Sequence, residues 1–225
     1  MNRKILLITG IIVLAFAAGV FILFKSASKA HQAGISPTPQ QTVTALVTES
    51  ATSAITAEGT QQVSVFADPV KDFKSRVTKK PFGIYITPQN SPVQPERFTG
   101  YHTGADAEYQ DITADVPVFA IADCKVVLSE TASGYGGVFM VSFDLDGATH
   151  TALYGHIRPS SLPVKEASFK RGDQLAVLGT AYSTETDGER RHLHFSILVD
   201  SSLNIKGYVQ TKAELSGWID PLTIF

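Results

Sequence analysis

The chain opens on an uncharged, almost wholly apolar run, Ile5 to Phe24 (ILLITGIIVLAFAAGVFILF), and shows no second run of that kind. At ~1.5 Å per residue a helix of that length crosses a hydrocarbon core of about 30 Å, so the pattern predicts one membrane-spanning helix. Arg3 and Lys4 precede it. The positive-inside rule then keeps residues 1–25 as a cytoplasmic stub and signal-anchor helix, with all that follows outside the plasma membrane. A cleaved secretory leader is the alternative, because Ser26-Ala27-Ser28 offers small residues to a peptidase. The apolar run is longer than the usual ~7 to 15 residues of such a leader.

The pattern changes twice more. Residues 26–65 contain no aromatic residue and consist mainly of Ser, Thr, Ala, Gln and Pro, too little apolar surface to offset the entropy of ordering; this predicts a flexible linker. From Phe66 onward, short runs rich in Val, Ile, Phe and Leu alternate with turn residues. The candidate strands are Val116 to Ala122, Lys125 to Ser129, Val138 to Asp144, Thr149 to His156, Gln174 to Leu178 and His192 to Val199. Ser133-Gly134-Tyr135-Gly136-Gly137, Asp146-Gly147, Arg171-Gly172-Asp173 and Asp187-Gly188 separate them. The Gly-Tyr-Gly-Gly stretch lacks the Lys-Ser/Thr ending of a phosphate loop and reads as a hairpin turn. No amphipathic helix of ordinary length is evident, so residues 66–225 are expected to form one all-β domain, an antiparallel sandwich or barrel.

Composition narrows the partners. The 225 residues carry 19 Lys and Arg against 21 Asp and Glu. Arg3, Lys4, Lys25 and Lys29 all lie in the first 30 residues, where no acidic residue occurs, so the rest of the chain is net acidic. A surface that tracks phosphates needs clustered cations, which argues against nucleic acid. The single Cys124 rules out a disulfide scaffold; its neighbours Val126, Val127 and Leu128 suggest a buried, inert thiol.

The histidines carry the chemistry. His31 falls in the linker and His150 has no clustered company. His102 and Asp106 flank Thr103-Gly104-Ala105, and the intervening glycine favours a strand end or turn over a helix; either way both side chains can reach one cation. His192-Leu193-His194-Phe195 opens a run of alternating polar and apolar residues. On a strand, both imidazoles project to one face about 7 Å apart while Leu193 and Phe195 face the core. One of the two could bind a metal and the other lie just beyond it. Two imidazoles and a carboxylate form an N2O set suited to Zn2+, with a fourth position left open.

His102-Thr103-Gly104-Ala105-Asp106, Leu153-Tyr154-Gly155-His156-Ile157, Lys170-Arg171-Gly172-Asp173-Gln174 with Gly179, and His192-Leu193-His194-Phe195 follow one another as in LytM/lysostaphin-type zinc metalloendopeptidases, which the chain resembles from about Pro81 to Phe225. The closing Asp220-Pro221 is similar to that family's C-terminal signature. The resemblance implies a duplicated hybrid motif fold with a groove across one sheet. It also implies one Zn2+ held by His102, Asp106 and His194. His192 then resembles the general base and His156 the second catalytic histidine, with their exact roles left open. Two positions depart from the family pattern: Cys124, where relatives usually have a small residue, and the loop Thr184 to Arg191, which is more charged than the usual turn.

The expected function is hydrolysis of peptide bonds in the peptide moiety of peptidoglycan, from a membrane anchor, for cell-wall remodelling or division. The rival is a non-catalytic wall-binding or regulatory domain that activates another wall hydrolase, or docks division or wall-remodelling proteins. All five resembling positions are filled, which favours activity. Arg97, Tyr101, Arg190 and Arg191 could meet carboxylates of wall peptides, but solvated loop charge is the expectation for them.

Overall fold

A computed structural model describes residues 65–225. The expected anchor and all but the last residue of the expected linker lie outside the described residues, among which no helix is long and apolar enough to cross a membrane.

The described chain is built of antiparallel strands: β1 (Tyr85–Ile86), β2 (Gly100–His102), β3 (Ala105–Glu108), β4 (Pro117–Phe119), β5 (Cys124–Ala132), β6 (Gly136–Leu145), β7 (Ala148–Ile157), β8 (Ser168–Phe169), β9 (Gln174–Val177), β10 (His192–Leu198), β11 (Tyr208–Val209) and β12 (Trp218–Ile219). One turn of α-helix, α1 (Phe73–Arg76), precedes them. All six strands expected from the sequence are present, some shortened or extended by a few residues. The main sheet runs β12-β10-β7-β6-β5-β8, with β3 also paired to β10; β1-β2-β11 and β4-β9 form two smaller sheets.

Period-two alternation distributes the main sheet's side chains between two cores. On one face Phe139, Val141, Ala152, Tyr154, Leu193, Phe195 and Ile197 pack with Val118 and Leu175 of the small β4-β9 sheet. Tyr154 stacks on Phe139 at 4.6 Å and meets Phe195 edge-on at 5.0 Å. Its hydroxyl donates to the Phe119 carbonyl at 3.0 Å, tying the small sheet to the large one. On the other face Val138, Met140, Leu153 and Leu198 pack with Tyr135, Val209 and Trp218. The polar residues His192 and His194 of β10 belong to this second face. Cys124 is buried in the first core, and burial pushes its thiol up to about 11, in keeping with an inert cysteine.

Candidate metal centre

Backbone pairing brings distant parts of the chain together. β3 lies antiparallel to β10 with Asp106 opposite His194 and Glu108 opposite His192, while β7 flanks β10 on its other side and sets Gly155 opposite His194. His102 ends β2, and the bend at Thr103-Gly104 swings the chain into β3, the strand end expected from the sequence. Gly104 permits this approach: a Cβ there would lie 2.5 Å from the Phe195 carbonyl oxygen and 3.0 Å from the His194 ring. Gly104→Ala is therefore expected to destabilise the domain by roughly 2 kcal/mol or more, because the β10 backbone cannot step aside. A lowered urea midpoint at unchanged m-value would show it.

Three electron-rich atoms converge. His102 Nε2 lies 3.0 Å from His194 Nδ1 and 3.2 Å from Asp106 Oδ1, and His194 Nδ1 lies 3.0 Å from the same Oδ1. All three residues are buried. His102 Nδ1 lies 3.2 Å from the Pro81 carbonyl, to which it can only donate, which leaves Nε2 to face the other two atoms. Such a triangle could hold a cation, and its N2O donor chemistry fits Zn2+. Burial alone would raise the Asp106 carboxyl, but His102 and His192 and the hydrogen bonds from His102 and His194 outweigh it and hold it well below the usual carboxylate range.

The other two histidines lie beside the triangle, outside it. His192 Nδ1 donates to the Arg190 carbonyl at 2.9 Å, leaving its Nε2 lone pair 3.4 Å from Asp106 Oδ2. The His156 ring packs against it, centroids 4.1 Å apart. His156 has φ 62°, a left-handed backbone that is costly for a residue with a Cβ. It is the extra residue where the β6-β7 register shifts, since Gly137 pairs with Ile157 while Val138 pairs with Gly155. This bulge turns the imidazole toward the site. Burial lowers both rings, His156 to about 3 and His192 well below its ordinary value, with Arg190 adding to the effect at His192; both are neutral bases at pH 7.

A cavity of about 400 Å³ opens over these groups, lined by Phe98, Tyr135, His156, His192, His194 and Tyr208 among others. Tyr135 belongs to the expected hairpin turn, and no local pattern marks it for a role in the site. Its ring lies 5.4 Å from that of His156 and 5.5 Å from that of His194, its hydroxyl is buried without a protein partner, and burial raises its pKa, so it remains a phenol able to donate. Tyr208 stacks on Phe98 and accepts from Lys80 Nζ at 3.1 Å; Lys80 in turn pairs with the buried Glu96.

The expectation of solvated loop charge fails for two arginines. Arg190 is 2% exposed, because it runs back along β3 to the carboxylates of Asp106 and Glu108. Arg191 is also buried and donates to the Ile112 carbonyl at 2.8 Å. Arg97 remains half-exposed but is paired with Asp187 and Glu189, and Tyr101 packs on Tyr85. His150 is buried away from the cluster, its Nδ1 3.0 Å from the Leu198 carbonyl. Asp220 caps the short 3-10 helix Pro221–Thr223.

Residues 100–205 match Peptidase family M23. Among solved structures, LytU aligns at 25% identity and a TM-score of 0.42 over 65% of this chain and 81% of that one. A zinc-containing peptidase from Vibrio cholerae aligns at 21% identity and a TM-score of 0.38 over 60% of this chain and 36% of that one, so this chain spans little more than a third of its length. The SpoIIQ-SpoIIIAH pore-forming complex aligns at 19% identity and a TM-score of 0.45, covering 72% of this chain and 91% of that chain. No curated protein matches.

Proposed function

We propose that this chain, which carries a LytM-type domain of peptidase family M23, is a zinc-dependent endopeptidase that hydrolyses peptide bonds in the peptide part of peptidoglycan. The observation that carries the reading is the buried His102-Asp106-His194 triangle with two neutral imidazoles beside it on the wall of one cavity. Zn2+ would be held by His102, Asp106 and His194 and would supply Lewis acidity, polarising the scissile carbonyl and lowering the pKa of water toward roughly 7. His192 takes the water's proton at Nε2, its tautomer fixed by the Arg190 carbonyl, and returns it to the leaving amine. His156 orients the water or shares the oxyanion, and the Tyr135 hydroxyl is a second donor facing the same space.

The reading extends to place. An outward-facing anchor at Ile5 to Phe24 and a tether of about 40 residues, with a reach on the order of 35 Å, would hold the domain at the wall side of the plasma membrane. Purified residues 66–225 are expected to release new amino groups from cell-wall sacculi. Chelation should reduce that release to background, and one equivalent of Zn2+ should restore it. Release that persists at full rate in metal-free protein would end the proposal.

A further inference from the structure

Asp106 divides its two oxygens between different tasks. Oδ1 faces His102 and His194 at 3.2 and 3.0 Å. Oδ2 accepts from Arg190 Nη2 at 2.7 Å, a short charge-assisted bond, and lies 3.4 Å from His192 Nε2. Arg190 is itself held: Nε lies 3.0 and 2.9 Å from the two Glu108 oxygens, and Nη2 lies 2.8 Å from one of them. Lys79 approaches Glu108 from outside at 3.7 Å. Asp106 and Glu108 are two residues apart on β3 and share a face, so one guanidinium spans both. A neutral turn residue at position 190 could not do this. The unusual charge of the loop before the histidine pair thus has a specific use.

We propose that Arg190 is a positioning residue of the metal site: it holds Oδ2 of Asp106 so that the carboxylate offers a single oxygen to the ion and cannot close a second coordination position. The inference rests on the metallopeptidase reading above. With Oδ2 free, a carboxylate beside a dication can swing to bind through both oxygens, filling the corner that water and substrate need. With Oδ2 committed to Arg190, that swing costs a buried charge-assisted bond.

The test uses the full chain in detergent, loaded with Co2+ in place of Zn2+ and read by visible absorption, since four-coordinate Co2+ absorbs several-fold more strongly than five-coordinate Co2+. The double variant Arg190→Gln/Glu108→Gln removes one charge of each sign and leaves the net charge unchanged. It is expected to lose at least about half of the visible band and to bind Zn2+ about 10- to 100-fold more weakly in competition with a chelator. Glu108→Gln alone should keep the wild-type spectrum, and Arg190→Lys, which restores one donor, should recover part of it. A double variant with wild-type spectrum and affinity overturns the inference alone. Should that variant not fold, X-ray absorption of the Zn2+-loaded wild type decides, and two-oxygen binding by the carboxylate overturns it. A wild type that takes up no stoichiometric metal overturns the metallopeptidase reading, and the inference with it.

Discussion

His102→Ala is expected to lower amino-group release from sacculi by at least about 10³-fold and to remove the bound Zn2+ at the same time. His102 is fully buried, and its Nε2 is one corner of a triangle whose sides are 3.0 to 3.2 Å. Alanine leaves one nitrogen and one oxygen, too few to hold the ion and too few to acidify water. The ring also packs edge-on against His194 and at a tilt against Tyr208, so some stability goes with it. Circular dichroism should still report a folded β domain. Turnover within tenfold of wild type, or full metal content, would remove His102 from the ligand set.

His192→Ala is expected to separate the two functions. Zn2+ content should stay at one equivalent, because His192 Nε2 faces Asp106 Oδ2 rather than the triangle, while turnover falls about 10² to 10⁴-fold, the usual worth of a positioned base. Burial, reinforced by the Arg190 charge, keeps this imidazole unprotonated at neutral pH, so it is ready to accept a proton. If the variant loses its metal instead, His192 is a ligand and the roles within the His192-Leu193-His194 segment are reversed.

Period-two patterning reveals six of the twelve described strands and the sidedness of β10: Leu193 and Phe195 in one core, His192 and His194 on the other face. The juxtaposition of His102 and Asp106 with His194 was legible only through the ordered motifs, because nothing local in residues 102–106 says that β3 will pair with β10. The places of Tyr135 and Arg190 beside the site are not legible in the sequence, for a shared reason. A tyrosine between glycines and an arginine in a charged loop look solvated, and only tertiary contacts, the packing against His156 and the bond to Asp106, reveal them as buried. The turn at His156 was hidden too, since a bulge depends on the partner strand's register.

The donors come from distant parts of the sequence: His194 lies 92 residues from His102 and 88 from Asp106. An unfolded chain cannot assemble them without closing that loop, so an ion binding there acts as a removable staple. Nearly all of its affinity is then returned as resistance to melting, about 2.7 kcal/mol at a free concentration one hundred times its dissociation constant. A simple thermal scan at graded zinc concentrations therefore doubles as an affinity assay, and scarcity of the ion would weaken the molecule as well as silence it.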